Sequence, residues 1–408
     1  MKKFLITGGN FINKGAESMM YVTVDEIRKR FPDAEIYYMS HENVDMSDFA
    51  FEHIYVSPYS KTIALGGIKG LIRSIQSTCF EIVKTVLRKN ANIKGAYELK
   101  KILPTISVIL DISGFNLGKK WSVSVQEDYL DNIRLAKKYN IPMYLMPQSF
   151  GPFDYNNPPS ALMHDCSELL KYPRIVFARE SEGKSQLERH FGLENVKLST
   201  DLVLQNTGVN YENIYKNKVL IKEFDIAANS VGVVTNKQCF DRGNLDELIE
   251  LYKSIITYLL GKGRTIYLIR HSKQDLESCK LIKNVFLNCD KVVLFEKELS
   301  CVEYEELVKK FDFIICSRFH GIVHAYRNNI PAIALGWAIK YQELLHNVGQ
   351  DGYYFDITSS KLNIEEIISA VEKISENNLE ERRIILENVE EIQNENCFTL
   401  FEKDFMSL

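Results

Sequence analysis

The amino-acid sequence predicts an α/β fold made of two Rossmann-like domains, each built on a parallel sheet. Short apolar runs alternate with segments of helical periodicity along most of the chain, which is typical of parallel strands joined by crossover helices. The 408 residues exceed what one hydrophobic core usually organises. The alternation is lost between Gln205 and Ala228, where asparagines accumulate, and it restarts afterwards.

The first half follows the order strand, helix, strand. Each predicted strand is short, apolar and followed by glycine or small polar residues, and each helix repeats apolar residues at helical spacing. The predicted strands are residues 4–7, 35–39, 107–111, 142–146 and 174–178, and the predicted helices are residues 18–30, 126–138, 162–170 and 181–190.

The second half repeats this order and ends in a charged helical stretch, 364–401, which could cross back to the first domain. Its predicted strands are residues 231–235, 265–270, 292–295, 313–316 and 332–335, and its helices are residues 245–260, 276–286, 304–310 and a segment beginning at residue 322. We therefore expect an N-terminal domain over 1–205, a linker over 206–228, a C-terminal domain over 229–350 and a helical segment over 351–408. Two similar α/β domains indicate a GT-B-like architecture, with the active cleft between facing strand ends.

The composition excludes several classes of protein. A net charge of −4 argues against a general nucleic-acid-binding surface. The eight cysteines are scattered, without the C-x-x-C spacing of zinc or redox sites. The apolar run at the N-terminus is too short for a signal peptide, and no stretch of about 18 apolar residues occurs, so we expect a cytoplasmic protein.

Residues 61–101 are basic, with lysines and arginines interleaved among aliphatic residues. Such a pattern fits an amphipathic helix that contacts an anionic membrane, here at the inner face of the membrane. An ordinary helix packed on its own domain has the same pattern.

Three glycine-containing loops of the first half follow predicted strands, at the edge where open α/β sheets bind ligands. Glycine lets a ligand approach the backbone, and small polar side chains can bond sugar hydroxyls. Tight turns that bind no ligand have the same pattern of glycine and small polar residues. The candidate substrate-binding residues in these loops are Asn13, Glu17, Ser113, Gly114, Asn116 and Gln148.

The segment "FARESEGKS" places Arg179 directly after a predicted strand. Its guanidinium is permanently charged and its planar fork suits a carboxylate or a phosphate. An internal ion pair with Glu180 or Glu182 is the alternative.

The segment "ICSRFHGIVHA" carries the strongest signal. Ser317, Arg318 and His320 follow a buried apolar strand and come just before a helix, so an arginine that can clamp an anion lies beside a histidine that can move a proton. A structural arginine with a satisfied histidine remains the alternative. His324 lies one helical turn after His320, but no carboxylate completes a metal site, so we expect a packed histidine and no metal. Lys340, after the next strand, is a further cation for the same cleft, or an exposed surface lysine.

These blocks together resemble the polysaccharide pyruvyl transferase family. The similarity runs from residue 6 to residue 345 through "TGGNFINKGAE", "SGFNLG", "PQSFGPF", "ARESEGKSQLERHFGLENVKLSTDLVL" and "CSRFHGIVHAYRNNIPAIAL". The chain departs from many members where Gly15-Ala16 replaces Gly-Asp and where Phe115 replaces the second glycine of Ser-Gly-Gly.

The resemblance implies a GT-B-like fold and a pyruvyltransferase. The donor would be phosphoenolpyruvate, whose carboxyvinyl carbons go onto two hydroxyls of a sugar as a cyclic ketal while phosphate is released. Arg318 and His320 match the family's donor-binding arginine and catalytic histidine, Arg179 matches the arginine of its "RE" block, and Lys340 matches its lysine. The partners expected are phosphoenolpyruvate and a saccharide of an exopolysaccharide, capsule or other cell-envelope polymer, free or lipid-linked, with no nucleic acid and no cofactor.

Two other functions stay open. A GT-B glycosyltransferase that uses a nucleotide sugar often has a strand-end carboxylate for the ribose hydroxyls, whereas this chain has Gly-Trp-Ala at residues 336–338. The other is a catalytically silent carbohydrate-binding protein on the same scaffold, which would be expected to lose the charged groups of the site. The four candidate groups are all present in the sequence, namely Arg179, Arg318, His320 and Lys340.

Overall fold

The computed structural model describes residues 1–42, 44–57, 59–67, 94–219, 223–358 and 363–408. Within these residues the chain forms two parallel sheets, one in each half. The seven strands of the first sheet are β1 (Lys3–Thr7), β2 (Glu35–Ser40), β3 (Glu52–Tyr55), β4 (Val108–Asp111), β5 (Met143–Gln148), β6 (Ile175–Ala178) and β7 (Val196–Leu198). The six strands of the second sheet are β8 (Ser230–Thr235), β9 (Thr265–Arg270), β10 (Val292–Phe295), β11 (Phe313–Cys316), β12 (Ala332–Gly336) and β13 (Tyr354–Asp356).

The strand order gives both sheets the same kind of switch point. The orders are β3-β2-β1-β4-β5-β6-β7 and β10-β9-β8-β11-β12-β13, with parallel pairing throughout. Every residue of β8 and β11 is buried, as expected for parallel strands covered by helices on both faces. The order reverses between β1 and β4 and between β8 and β11, and ligands of open α/β sheets bind outside the strand ends at such points.

The helices connect the strands and extend the chain beyond the second sheet. Those of the first half are α1 (Lys14–Arg30), α2 (Ser60–Leu65), α3 (Lys94–Ile102), α4 (Val123–Lys138), α5 (Ser160–Leu169) and α6 (Ser181–Phe191). Those of the second half are α7 (Lys237–Arg242), α8 (Leu245–Gly261), α9 (Asp275–Val285), α10 (Cys301–Val308), α11 (Phe319–Arg327), α12 (Ile339–Asn347), α13 (Ile364–Glu376), α14 (Asn378–Asn394) and α15 (Cys397–Phe405).

The last helix packs on the first sheet, although it follows the second sheet in the chain. Phe401 lies against Tyr144 of β5, with their ring centroids 4.9 Å apart, and against Phe4 of β1. Asp404 accepts hydrogen bonds from Arg174 and Tyr144. The C-terminal segment therefore contacts both halves of the protein.

The structure corrects the sequence analysis at several elements. Strands β3, β7 and β13 were not predicted, because each has only three or four residues and at most one of them is buried. Strand β13 belongs to the second sheet, although it lies in the segment predicted to be helical from residue 351. Helix α1 begins at Lys14 rather than at residue 18, because the Asn13 side chain caps it.

The basic segment 61–101 is only partly described. Lys61 is buried and forms an ion pair with Asp128, so it is not free to contact a membrane. Helix α2 ends at Leu65, before Gly66 and Gly67 with positive φ angles of 71° and 72°. Residues 68–93 lie outside the described residues, and membrane contact stays a prediction. Among the helices that are described, none is both long and apolar enough to cross a bilayer.

Candidate functional site

The N-terminus of α1 meets the N-terminus of α11 where the two sheets face each other. A Cβ atom built on Gly15 would lie 2.2 Å from Cγ and Nδ1 of His320, so the backbone of α1 touches the imidazole directly. Lys14 Nζ donates a hydrogen bond of 2.7 Å to the carbonyl oxygen of His271, which follows β9. These contacts bring the loops after β1, β9 and β11 to one junction.

His320 lies at this junction with one ring nitrogen available. Its Nε2 atom is buried, makes no hydrogen bond to a described residue and lies 3.5 Å from Asp201 Oδ2. Burial lowers the pKa of His320 below its usual value; the Asp201 carboxylate opposes this effect, and the charges of Arg179 and Lys340 add to it. The imidazole is therefore predominantly neutral at pH 7 when no anion is bound.

Asp201 is the carboxylate that connects the two halves of the site. It accepts hydrogen bonds from Arg179 Nη1 at 2.8 Å and from the backbone N–H of Val203 at 2.9 Å. Burial alone would raise its pKa, but His320 and Arg179 outweigh burial and hold the pKa of Asp201 well below its usual range. The carboxylate stays ionised and can stabilise a protonated His320.

Arg179 is fully engaged inside the protein. Its Nε donates to Glu180 at 3.1 Å and its Nη2 donates to Ser149 at 2.6 Å, in addition to the bond with Asp201. The guanidinium also lies 4.5 Å from the centre of the Phe319 ring. The internal ion pair with Glu180, which was the alternative to anion binding in the sequence analysis, is present. Arg179 therefore fixes the positions of Asp201 and Ser149.

Lys340 is a cation of the junction and has no ionic partner among the described residues. Its Nζ lies 4.9 Å from the centre of the Phe319 ring and forms no hydrogen bond or ion pair with any residue that the structure describes. Burial, reinforced by Arg179, lowers the pKa of Lys340 to about 8. An anion bound beside Phe319 would complete the environment of this ammonium group.

Arg318 is held in place by the second domain. Its Nε donates to Asp275 Oδ2 at 2.9 Å, and its Nη2 donates to Asp275 Oδ1 and, at 2.9 Å, to Ser272. This is the structural role that was the alternative from the sequence. Arg318 is also the N-cap residue of α11, and no described side chain caps that helix, so its first N–H groups and its dipole face the junction.

Several predicted residues make hydrogen bonds within the protein. Ser317 is fully buried and its hydroxyl bonds that of Tyr252 at 2.8 Å. Gln148 is fully buried and accepts a hydrogen bond from Tyr129. Glu17 accepts hydrogen bonds from Tyr21 and from the backbone of Cys301. The Asn13 amide oxygen accepts from Gly15 N and caps α1.

The other first-domain candidates lie at a separate cavity. A space of about 220 Å³ beyond the ends of β1 and β4 is lined by Ser113 and Asn116, together with Lys61 and Asp128. Ser113 Oγ is buried without a hydrogen-bond partner among the described residues. Gly114 belongs to the same loop and has a φ angle of 68°, a conformation that favours glycine.

His324 is buried one helical turn beyond His320. Its Nε2 lies 2.9 Å from Ser18 Oγ, and its Nδ1 lies 3.6 Å from Glu305. The described ranges contain no group of three histidine, cysteine, aspartate or glutamate side chains arranged to hold a metal ion. His324 therefore packs α11 against α1.

The sequence analysis missed two carboxylates that organise the site. Asp201 follows β7, a three-residue strand with a weak pattern, although it lies within the "STDLVL" part of a family-like block. Asp275 begins α9 and contacts Arg318 across 43 positions of sequence, a pairing that depends on the fold.

Comparison with known proteins identifies a family and a fold. The sequence model of the family described as polysaccharide pyruvyl transferase matches residues 13–338. No curated protein matches the chain.

Solved structures are similar at low identity. The chain is similar to a UDP-GlcNAc 2-epimerase from Neisseria meningitidis bound to UDP-GlcNAc, with 15% identity, a TM-score of 0.58 and coverage of 98% of this chain and 99% of that chain. A UDP-GlcNAc 2-epimerase from Methanocaldococcus jannaschii matches with 14% identity, a TM-score of 0.56 and coverage of 91% and 92%. A glycosyltransferase from Rickettsia africae matches with 10% identity, a TM-score of 0.53 and coverage of 99% and 98%. At such identities the likeness concerns the fold alone, and it confirms the GT-B-like prediction.

Proposed function

The chain belongs to the polysaccharide pyruvyl transferase family, and on that premise we propose that it transfers pyruvate from phosphoenolpyruvate onto two hydroxyls of a sugar. The product is a cyclic ketal on a cell-surface polysaccharide or its precursor, and phosphate is released. The observation that carries the proposal is the junction itself, where Lys340 has no ion pair and α11 has no side-chain cap among the described residues, and where His320 Nε2 faces Asp201. Such a set suits a small molecule that bears a carboxylate and a phosphate.

Donor binding needs fixed positive charge. In the proposed complex Lys340 and the first N–H groups of α11 hold the phosphate or the carboxylate. Arg318 is already fixed by Asp275, and its Nη1, which has no hydrogen-bond partner among the described residues, donates to the same anion. Because the Asp275 contact orders the guanidinium before the donor arrives, little side-chain entropy is lost on binding.

Proton transfer is assigned to His320. A protonated His320 gives its proton to the methylene carbon of phosphoenolpyruvate, whose C=C electron pair forms the new C–H bond and leaves an oxocarbenium-like carbon. A sugar hydroxyl bonds to that carbon and loses its proton. The C–O bond to phosphate then breaks with both electrons leaving on phosphate, and a second hydroxyl closes the ketal and loses its proton. Asp201 stabilises the imidazolium through this cycle.

The neutral resting state of His320 is compatible with this role. Burial keeps the pKa of the free group low, and a phosphate dianion at Lys340 supplies the opposite charge that favours proton uptake. Donor binding and protonation of His320 are therefore coupled.

The decisive experiment is incubation of the protein with phosphoenolpyruvate and a library of acceptor saccharides. We expect release of inorganic phosphate together with a product whose mass exceeds that of the acceptor by pyruvate minus water. The alternative hypothesis, a glycosyltransferase, predicts release of nucleotide from a sugar nucleotide and no consumption of phosphoenolpyruvate. Donor binding without consumption across the whole library would favour the silent carbohydrate-binding protein.

We also propose that the acceptor is lipid-linked and that the protein works at the inner face of the membrane. The support is the basic composition of residues 61–101, with Lys61 excluded because it pairs with Asp128. Flotation with anionic vesicles at low salt tests the proposed membrane contact. Absence of binding would contradict that contact and leave the proposed pyruvyl transfer unaffected.

A further inference from the structure

A second cavity lies beside the junction of α1 and α11, which we call the donor junction. Its volume is about 610 Å³, and it lies between the strand ends of the first sheet and the helices α12, α14 and α15. A small pocket that contains Asp201, Phe319 and Lys340 shares Arg179, Thr200, Glu343 and Asn347 with this cavity. The cavity, which we call the C-terminal cleft, therefore borders the small pocket that contains Lys340.

We propose that the C-terminal cleft binds the acceptor as an uncharged, hydroxyl-rich saccharide chain of about two to three sugar rings. This inference rests on the proposed function, because a ketal can form only if two acceptor hydroxyls lie next to the donor carbon. The volume is within the range of about 300 to 1,000 Å³ that is usual for ligand sites.

The polar side chains of the cleft suit sugar hydroxyls. The side chains of Asn347, Asn394 and Thr200 line it and have no hydrogen-bond partner among the residues that the structure describes. An amide offers both donors and acceptors to neighbouring hydroxyls, whereas a phosphate would need donors only. The half-exposed Leu198 and Leu400 add the apolar surface that sugar C–H faces contact.

The charge of the cleft disfavours an acidic sugar. Glu391 and Glu395 line it and have no ion pair within the described part of the chain. Arg179, the cation among the lining residues, is neutralised by Glu180 and Asp201. A uronate or phosphate in this cleft would therefore face uncompensated negative charge.

Most of the cleft comes from outside the region shared with the family. The family match ends at residue 338, and Glu343, Asn347 and all lining residues of α14 and α15 come later in the chain. The donor junction lies mostly within the match, with Lys340 just beyond it. This division assigns acceptor choice to the C-terminal helices and donor chemistry to the shared core.

The test measures saccharide binding to the full chain by calorimetry at low salt without donor. The probes are trisaccharides of glucose, galactose, mannose and N-acetylglucosamine, with trigalacturonate as the acidic member. We expect at least one neutral trisaccharide to bind and trigalacturonate to bind more weakly. The double variant Glu391→Gln, Glu395→Gln should raise the ratio of trigalacturonate affinity to neutral-trisaccharide affinity by about threefold for each carboxylate removed.

The matched control is Glu390→Gln, the same change at the adjacent exposed position of α14, which does not line the cleft. It should change neither affinity. Asn347→Leu should weaken the neutral trisaccharide by about 3- to 10-fold through the lost amide contacts. Absence of binding by every neutral trisaccharide, or an acid-to-neutral affinity ratio that the double variant leaves unchanged, would overturn the proposal.

A parallel assay of phosphate release separates this inference from the proposed function. If phosphoenolpyruvate is consumed but the double variant keeps the original preference between acidic and neutral saccharides, only the proposal for the C-terminal cleft is refuted. Charge-dependent saccharide binding without any consumption of phosphoenolpyruvate supports the cleft and refutes the pyruvyl transfer.

Discussion

The imidazole of His320 lies beside the Asp201 carboxylate, which is ionised at neutral pH. Its Nε2 faces Asp201 at 3.5 Å and is otherwise without a described partner. This geometry is what a proton carrier needs, and it also suits a group that only holds phosphate. Substitution can separate the two roles, because a neutral amide can hold an anion but cannot deliver a proton to carbon.

We therefore expect His320→Ala to lower kcat for phosphate release by about 10²- to 10⁴-fold. His320→Gln should lower kcat by a similar factor while the KM for phosphoenolpyruvate stays within about threefold of the original value, since the amide keeps a hydrogen-bond donor. Circular dichroism checks that both variants fold. A glutamine variant with near-normal kcat would show that His320 holds phosphate and does not move a proton.

Lys340 gives the site a pH dependence whose direction follows from its charge. The ammonium is charged below its pKa of about 8 and neutral above it. If it holds the donor anion, kcat/KM for phosphoenolpyruvate should fall as the pH rises through about 8. The donor's phosphate, with a second pKa of about 6, keeps its charge over that range.

Lys340→Arg is the matched variant, since a guanidinium stays charged throughout. We expect the fall near pH 8 to disappear in this variant and Lys340→Met to lose about 10- to 100-fold in kcat/KM at pH 7. A pH profile that is the same in the arginine variant would exclude Lys340 as the group responsible.

At the scale of elements, the close approach of α1 to α11 sets the position of His320. Gly15 lies in the first turn of α1, and a β-carbon there would lie 2.2 Å from the imidazole. A contact this short can be relieved only if the ring or the helix moves.

We expect Gly15→Ala to lower kcat by at least about tenfold, because small displacements of a reacting group cost large factors in rate. Gly261→Ala is the control, since a β-carbon at Gly261 would meet no atom within 4 Å. Activity and the midpoint of thermal unfolding should both be measured. Normal activity in Gly15→Ala would mean that the imidazole position in this structure is not required for turnover.

The same elements show how far sequence reasoning reached. The loop of Arg318 and His320 could be predicted because β11 is a continuous apolar run and Gly321 follows, so polar residues between them must emerge at a strand end. The partners of these residues could not be predicted, because Asp275 and Asp201 come from loops after other strands and their proximity depends on sheet order. The direction of the Ser317 side chain could not be predicted, since a strand-end position does not reveal which face a side chain takes, and its hydroxyl bonds that of Tyr252.

At the scale of the whole molecule, the C-terminal helices connect the two halves. Helix α14 contributes to the C-terminal cleft beside the second sheet, and α15 covers the first sheet with Phe401 and Phe405. Asp404 adds hydrogen bonds to Arg174 and Tyr144. The segment that we connect with acceptor choice therefore also contributes to stability.

Phe401 is fully buried and contacts the rings of Phe4 and Tyr144. Its truncation to alanine removes this packing and leaves a cavity, so we expect the free energy of unfolding to fall by about 3 to 5 kcal/mol. Urea unfolding monitored by fluorescence measures the change. Leu379→Ala on the exposed surface of α14 is the control and should stay within about 0.5 kcal/mol of the original protein, because Leu379 is 84% exposed. Equal stabilities of the two variants would mean that α15 is not held on the first sheet in solution, and the wall that it gives the C-terminal cleft would then be lost as well.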